Sequence, residues 1–199
     1  IKRYFTKDYS NYIILSKTNI DIEEYPEVYT YLEKHRAKLE NVYEARKGSK
    51  KWYELRNCSY YDSFVQEKLI WTKLASINSF AISSKSEYSI DSTSFAIGSN
   101  LRYYSAILNS KLIFFYFKLG SVVWGKDGIK WFDDYFDSLP IIVSSDGDIL
   151  KVESIVNKVL SIREDNPKAD TSILEEEIDQ MVYKLYGLTS DEIKIVENS

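Results

Sequence analysis

The sequence predicts an α+β fold with a mixed β-sheet core, flanking helices and a C-terminal helical subdomain. Three observations predict it. Short apolar runs between residues 64 and 98 are separated by Ser, Asn, Asp and Lys, as turns between strands require. Apolar residues at helical spacing follow over 101–119 and again over 149–197. A chain of 199 residues can bury a core of its own, and we predict a main domain over 1–145 and the helical subdomain over 146–199.

The N-terminal third is predicted to hold short strands and one long helix. Among the strand-like runs of residues 4–20, Tyr12–Leu15 is the clearest. Pro26 suits the first turn of a helix because its missing N–H would have no partner there, and Gly48 ends that helix. The apolar stripe of this helix, at alternating spacings of 4 and 3, is Val28, Leu32, His35, Leu39 and Val42. The stripe predicts a packed, hydrogen-bonded His35 rather than a catalytic one.

The middle of the chain is predicted to form strands and then two short helices. The predicted strands are Lys68–Leu74, Phe80–Ser83, Tyr88–Ile90 and Phe95–Ile97. Asn100 is expected to cap a helix over Leu101–Asn109, and a second helix follows over Ser110–Leu119. A hairpin that contains glycine is predicted over Val122–Trp131.

The last third is predicted to be helical. Residues 149–162 carry apolar side chains at helical spacing. Two capping boxes, in which a hydroxyl side chain is followed three residues later by Glu, predict the next two helix starts. These boxes are Ser172 with Glu175 and Thr189 with Glu192. Gly187 ends the helix between them.

Charge divides the chain into a basic part and an acidic part. Residues 1–130 hold 20 Lys and Arg against 14 Asp and Glu, whereas residues 131–199 hold 6 against 16. This division indicates one part that faces a polyanion and another that faces elsewhere. The alternative is that the last helices only have solvated acidic faces.

The composition excludes several classes of protein. Cys58 is the single cysteine, so no intrachain disulfide can form, and we expect a reducing, cytoplasmic location. His35 is the single histidine, which excludes a Cys/His zinc site within one chain and disfavours a histidine-centred triad. No apolar run approaches the roughly 18 residues of a membrane span, so we expect no membrane partner. The first residue is Ile1 rather than Met, which predicts a piece of a longer protein.

Motifs for catalysis are missing from the sequence. It has no glycine-rich phosphate loop, no zinc-protease motif and no nucleophile elbow. Asp133-Asp134 and Glu175–Glu177 are runs of carboxylates, but neighbouring positions on a helix point apart and cannot form a catalytic pair. The residues alone therefore predict a non-catalytic α+β binding domain.

Cationic and aromatic residues alternate over 46–56 and over 124–131. Lys and Arg neutralise phosphates, and Arg also reads base edges, so this pattern favours nucleic acid as the ligand. The candidate DNA-binding residues are Lys47, Lys50, Lys51, Arg56, Lys73, Lys85, Arg102, Lys126 and Lys130. The alternative is that Trp52 and Tyr53 are core residues and that the lysines serve solubility.

Several short segments occur in an informative order along the chain. They are Tyr25-Pro26, Tyr31-Leu32 with Leu39-Glu40, Trp52–Arg56, Glu67–Ile70, Ala106–Leu112, Leu139–Ile141 and Val182–Thr189. Together they resemble the C-terminal target-recognition, or TaqI-like specificity, domain of adenine-N6 DNA methyltransferases, which also occurs in single-chain type IIG restriction-modification enzymes. The resemblance extends from about Tyr25 to Val196. The sequence departs from the common pattern at two places. In Leu69–Thr72 a proline often follows the apolar run, and at Ile142-Val143 Pro and Lys are frequent.

The resemblance implies a module that holds double-stranded DNA and chooses the sequence to be methylated. It implies no catalytic residue, no metal and no cofactor in this chain. In that family a separate methyltransferase domain binds S-adenosylmethionine and methylates a flipped adenine at N6. Type IIG members add an endonuclease domain, for which Mg²⁺ is expected. The parent enzyme would then be an adenine-specific methyltransferase, with or without nuclease activity.

The resemblance also assigns roles within the chain. Residues 1–145 would form the target-recognition core, and the acidic helices of 146–199 would pack away from DNA against the methyltransferase domain. Leu108, Asn109 and Leu112 would be framework residues. Base reading would belong to Ser76–Arg102, where Lys85 and Arg102 are the leading candidates, and to the loop Val122–Lys130.

Two other functions stay open at this point. One is a specificity-subunit module of a type I restriction system, which reads DNA without a fused catalytic domain. The other is a protein-interaction module that uses the acidic helices as its partner surface, which predicts no salt-dependent DNA binding.

Overall fold

The computed structural model describes residues 1–6, 12–56, 58–83, 92–120, 123–124, 128–130 and 136–199. These residues form an α+β fold, which confirms the predicted fold class. The chain divides into two compact units. Unit 1 comprises Ile1–Asp8 and Asp62–Ser199, and unit 2 comprises Tyr9–Tyr61.

The described helices and strands have the following bounds. The helices are α1 (Pro26–Glu33), α2 (Arg36–Leu39), α3 (Tyr43–Arg46), α4 (Leu101–Asn109), α5 (Lys111–Gly120), α6 (Asp146–Asp165), α7 (Ser172–Leu185) and α8 (Ser190–Glu197). The strands are β1 (Tyr4–Phe5), β2 (Lys68–Thr72), β3 (Leu74–Ala75), β4 (Phe80–Ser83), β5 (Thr93–Ala96), β6 (Val123–Trp124) and β7 (Gly128–Lys130). Short 3₁₀ turns cover Ile22–Glu24 and Tyr61–Val65.

Unit 1 is built on a mixed four-stranded sheet with the order β1-β4-β2-β5. β1 runs parallel to β4, whereas β2 runs antiparallel to both β4 and β5. Leu69 on β2 pairs with Ile82 on one side and with Ala96 on the other, so β2 is a central strand. The strand predicted over Phe80–Ser83 is confirmed, and the one predicted over Tyr88–Ile90 lies outside the described residues.

Helices from both halves of unit 1 share one hydrophobic core with this sheet. Phe80 from β4, Ile107 from α4, Val156 from α6 and Val182 from α7 are all fully buried in it. The domain boundary predicted between residues 145 and 146 falls inside unit 1, because α6 and α7 pack on the same core as α4. Of the helices in the described residues, none combines the length and the apolar character needed to cross a membrane.

The predicted hairpin corresponds to a small second sheet. Its three described strands have the order β3-β7-β6, and both pairings are antiparallel. Val123 pairs with Ile129, and Trp124 pairs with Gly128. The tip of this hairpin, residues 125–127, lies outside the described residues.

Unit 2 differs from its prediction at two places. Tyr12–Leu15 is not a strand, and Tyr12 is fully exposed. The helix predicted from Pro26 to Gly48 does begin at Pro26, but it is broken into α1, α2 and α3. At the breaks, the N–H groups of His35 and Val42 donate to carbonyls only three residues back. At the second break Val42 has an extended backbone, so the helical winding stops there. The apolar residues nevertheless keep their helical spacing along the sequence, which is why the sequence predicts one helix.

Two further corrections concern single residues. His35 is exposed and lies at the break before α2, with its ring 5.4 Å from the Tyr31 ring between centroids, so the predicted packed histidine is wrong. Ser172 is the first residue of α7 rather than its cap, and its N–H donates to the Asp170 carboxylate. The second predicted capping box, formed by Thr189 and Glu192, is confirmed at the start of α8.

Candidate nucleic-acid interface

The basic segment that contains Trp52 is fastened to the start of unit 2. The Ser16 hydroxyl donates to the Tyr53 carbonyl, and the Leu55 N–H donates to the Ser16 carbonyl over 2.8 Å. The Asn19 N–H donates to the Glu54 carboxylate over 2.9 Å. These bonds fix the backbone of the segment. Four predicted DNA-binding residues lie in it or next to it: Lys47, Lys50, Lys51 and Arg56.

Lys50 and Lys51 are neighbours in sequence but differ in environment. The half-buried Lys50 donates from Nζ to the Leu55 carbonyl and to Thr18 Oγ1. Lys51 is exposed, and its Nζ lies 5.6 Å from the centroid of the Tyr53 ring. A hydrogen bond to Tyr53 raises the pKa of Lys51, so this ammonium stays charged at neutral pH. The Lys51 ammonium therefore lies at the surface beside Tyr53, whereas the Lys50 ammonium bonds the main chain.

Arg56 and Lys47 lie on either side of this segment. The Arg56 side chain is 82% exposed although its Nε donates to Glu44 over 3.0 Å. Lys47 caps the end of α3, is exposed, and has its Nζ 5.8 Å from the centroid of the Tyr43 ring. Both cations reach solvent, and Lys47 stands beside an aromatic ring that is itself 61% exposed.

Trp52 belongs to an aromatic cluster inside unit 2. Its ring lies 5.9 Å from Tyr29 and 5.4 Å from Tyr53 between centroids, with edge-to-face geometry in both pairs. The Arg36 guanidinium lies 5.1 Å from the Trp52 centroid and also bonds Glu40 over 2.7 Å. The half-buried Trp52 thus organises unit 2.

Three further cations of unit 2 were not among the predicted site residues. Lys34, Lys38 and Arg46 are exposed, and none of them makes an ion pair within the described part of the chain. Residues 34–56 hold eight Lys and Arg against three Asp and Glu. The sequence could have identified these three cations as site residues, because they lie on the polar faces of the helix predicted from Pro26 to Gly48.

Arg102, a predicted base reader in unit 1, is held inside the fold. Its Nη1 and Nη2 donate to the two oxygens of Glu67 over 2.9 and 3.0 Å, and its Nε donates to Asn157 over 2.8 Å. The hydrogen bonds that Arg102 donates to Glu67 raise the pKa of Arg102. The guanidinium thereby joins the segment before β2 to α4 and α6.

The remaining predicted residues of unit 1 are placed only in part. Lys73 is half-buried in the link between β2 and β3, and its N–H donates to the Ser92 carbonyl over 2.8 Å. Lys130 pairs with Leu74 across the second sheet. Lys85 and Lys126 lie outside the described residues.

Asn109 has the framework position that was predicted for it. It is fully buried at the end of α4, where its side-chain oxygen accepts from the Phe80 N–H and its side-chain nitrogen donates to the Phe80 carbonyl. The amide thus bonds β4 as a neighbouring strand would. Asn78 adds bonds to the carbonyls of Leu108 and Ser110, which fixes the junction between α4 and α5.

Two tyrosines hold the segment that follows Leu139. The Tyr186 hydroxyl donates to the Pro140 carbonyl over 2.7 Å and accepts from the Ile142 N–H over 3.2 Å. The Tyr103 hydroxyl donates to the Ile142 carbonyl over 3.0 Å, and burial raises the pKa of Tyr103 to about 12. The segment Leu139–Ile142 is therefore tied to both α4 and the end of α7.

No protein-family model matches the sequence, and comparison with curated proteins finds no significant match. Among the described residues, no three or more His, Cys, Asp or Glu side chains are grouped to hold a metal ion.

Proposed function

We propose that this chain is the DNA-binding specificity domain of a restriction-modification enzyme and reads the target sequence for adenine-N6 methylation. The observation that carries the proposal is the arrangement of unit 2. There, Lys38 and Arg46 are exposed cations without an ion pair to any residue that the structure describes, and they occur in a segment with five more cations than acids. Tyr31, Tyr43 and Tyr60 of the same unit are each more than half exposed. Exposed Lys and Arg with aromatic side chains suit a phosphate backbone.

The ordered segments that resemble target-recognition domains support the more specific part of the proposal. Two of them supply framework bonds in unit 1. Asn109, from the segment Ala106–Leu112, bonds the backbone of β4. Tyr186, from the segment Val182–Thr189, bonds the segment Leu139–Ile141 at Pro140. A rigid framework that presents variable loops suits a domain that positions itself by phosphate contacts and reads bases from those loops.

The proposal divides the work between domains. This chain holds the duplex, and exposed cations such as Lys47 and Lys51 neutralise phosphates. Base contacts come from Ser76–Arg102 and Val122–Lys130. The methyl transfer belongs to a methyltransferase domain that binds S-adenosylmethionine, and any cleavage belongs to a nuclease domain with Mg²⁺. No residue of this chain is assigned to either cofactor.

Duplex binding at several salt concentrations tests the proposal. We expect the chain to bind a fluorescent duplex in anisotropy measurements, and the affinity to fall as salt rises. In the double variant Arg46→Ala/Lys47→Ala, the slope of log affinity against log salt should shrink by about 2, because each lost phosphate contact removes about 1. The substitutions remove two exposed cations of unit 2 and no buried contact.

The matched control is Lys168→Ala/Lys194→Ala, which removes two exposed cations from the acidic helical region. We expect the control to bind like the wild type. The proposal is contradicted by binding that is absent or independent of salt, and equally by a control that loses as much slope as the unit 2 variant.

A further inference from the structure

A groove between α6 and α7 exposes apolar side chains from both helices. Its lining consists of Leu150, Lys151, Ser154, Ile155, Glu177 and Met181. Leu150 is 66% exposed although it lies within a helix of 20 residues whose opposite side is in the core. An apolar side chain of this size that remains in water favours an interaction partner on the same face.

The helical repeat extends this face beyond the groove. On α6, Lys158 and Ile162 follow Ser154 at intervals of four residues, and on α7 Ile173 precedes Glu177 by the same interval. Ile162 and Ile173 are 38% and 82% exposed. Because Arg163 bonds Thr171 across the connection between the helices, these two isoleucines lie at the same end of the face. Leu150 and Met181 lie toward its other end, about 18 Å from Ile162 by the rise of 12 residues on α6 and about 12 Å from Ile173 by the rise of 8 residues on α7.

The centre of the face carries two charges of opposite sign. Lys158 is exposed on α6 and Glu177 is exposed on α7. Neither makes an ion pair or a hydrogen bond within the residues that the structure describes. The positive charge therefore lies on α6 and the negative charge on α7. If a second copy is turned by 180° so that its α6 lies over α7 of the first copy, each positive charge faces a negative one.

We propose that this α6–α7 face binds the same face of a second copy of the chain. The face is defined by Leu150, Ser154, Lys158, Ile162, Ile173, Glu177 and Met181. With a two-fold axis parallel to the helices, α6 of one copy lies over α7 of the other. Lys158 then approaches Glu177 of the second copy, and the symmetric contact occurs a second time. The apolar ends meet in the same arrangement, and four helices pack as a bundle.

The size of the face sets the expected strength of the contact. A patch about 15 Å long on average and two helices wide, with axes about 10 Å apart, covers roughly 300 Å² on each copy. The total of roughly 600 Å² lies below the range of stable complexes and at the low end of transient ones. We therefore expect a weak dimer that forms as the concentration rises. The inference is independent of the proposed DNA binding and needs no DNA for its test.

Sedimentation velocity of the full chain over a wide range of concentrations tests the dimer. We expect a monomer–dimer equilibrium for the wild type and at least a tenfold weaker dimer for Ile173→Glu. The matched control is Ile195→Glu on α8, which makes the same chemical change at a side chain that is 60% exposed. Circular dichroism of each variant checks that it folds.

Charge reversal tests the predicted pairing between copies. Lys158→Glu and Glu177→Lys should each weaken the dimer severalfold, because each brings like charges together. The double variant Lys158→Glu/Glu177→Lys should regain most of the wild-type affinity. The inference is overturned by a wild type that is monomeric throughout, by a control that weakens the dimer as Ile173→Glu does, or by a double variant that gains nothing over the single ones.

Discussion

At the scale of single residues, Lys50 and Lys51 show that the same side chain can serve the fold or a ligand. The Lys50 ammonium is bonded to the carbonyl of Leu55, whereas Lys51 faces solvent above Tyr53. The sequence predicts phosphate contact for both lysines. Under the proposed function, Lys51 is the better placed of the two for phosphate contact, because the Lys50 ammonium is already bonded to the main chain.

Alanine substitutions at these two lysines should therefore have different effects. Lys50→Ala should lower the free energy of unfolding by about 1–2 kcal/mol, because it removes a charged hydrogen bond to a main-chain carbonyl. Lys51→Ala should change that free energy by less than about 0.5 kcal/mol, because Lys51 and its contact with Tyr53 lie at the surface. It should reduce the salt slope of DNA binding by about 1. Urea unfolding and anisotropy on both variants check this, and equal effects of the two substitutions would contradict it.

Arg102 shows what the sequence leaves out at the level of single residues. The sequence places this arginine in the first turn of a predicted helix, and a base contact is predicted for it there. Its actual partners, Glu67 and Asn157, are 35 and 55 residues away along the chain. Charge and residue type can be taken from the sequence, but the pairing of distant charges depends on the tertiary fold.

At the scale of elements, the start of α5 is capped by a residue from another helix. Asp179 on α7 is 2% exposed, and its Oδ1 accepts from the Lys111 N–H over 2.9 Å. Burial raises the pKa of Asp179, although the Lys111 N–H and the nearby charge of Arg3 act in the opposite direction. The carboxylate thus accepts from an N–H at the start of α5 that has no partner within that helix. The unfavourable side of this arrangement is that a charged group is buried.

Two substitutions separate these two effects of Asp179. Asp179→Ala should lower the free energy of unfolding by about 1 kcal/mol through loss of the cap. Asp179→Asn keeps an acceptor oxygen and removes the charge, so at neutral pH it should be at least as stable as the wild type. The pKa of Asp179 is raised in the folded state, so the carboxyl takes up a proton more readily there than in the unfolded chain. As the pH falls through that pKa, the free energy of unfolding of the wild type should therefore rise relative to that of Asp179→Asn. Thermal unfolding from neutral pH to about pH 4 measures the difference, and a constant difference would contradict the argument.

The helices and strands show how far local patterns extend. The bounds of α4 and β4 agree with those predicted, because alternation, spacing and a stop signal all act within a few residues. The broken helix of unit 2 could not be predicted, since the apolar spacing continues along the sequence through His35 and through Val42, where the backbone is extended. The helix begins one residue earlier than the Ser172 capping box predicts: Thr171 takes the cap position, and its hydroxyl donates to the Glu175 carboxylate rather than capping the helix start.

At the scale of the whole molecule, the two units differ in how much they bury. None of the residues of α1, α2 or α3 is buried, whereas seven of the nine residues of α4 are. Burial of apolar surface is the main source of stability, so unit 2 is expected to open at a lower free energy than unit 1. The sequence contains no clear sign of this division, since its composition changes gradually across residue 61.

Amide hydrogen exchange should reveal this difference directly. Peptides that cover residues 26–46 should exchange faster than peptides that cover 101–109 or 149–159, because opening of unit 2 exposes less buried surface. Bound duplex should slow exchange in the first set and leave the other two unchanged, if the DNA contacts lie in unit 2. Equal protection of the three regions in the free protein would contradict the expected order of stability.

The amide of Asn109 has one more consequence, which concerns chemical ageing. An asparagine followed by serine loses its side-chain amide when the next backbone nitrogen attacks it and a cyclic imide forms. Here the Ser110 N–H is bonded to Ile107, and both polar atoms of the Asn109 side chain are bonded to Phe80. The attack therefore has to wait until α4 leaves β4. An aspartate formed in its place would set a buried carboxylate against the Phe80 carbonyl and oppose re-docking. The fraction of a stored sample that is deamidated at Asn109 itself thus records the accumulated time that this junction has spent open.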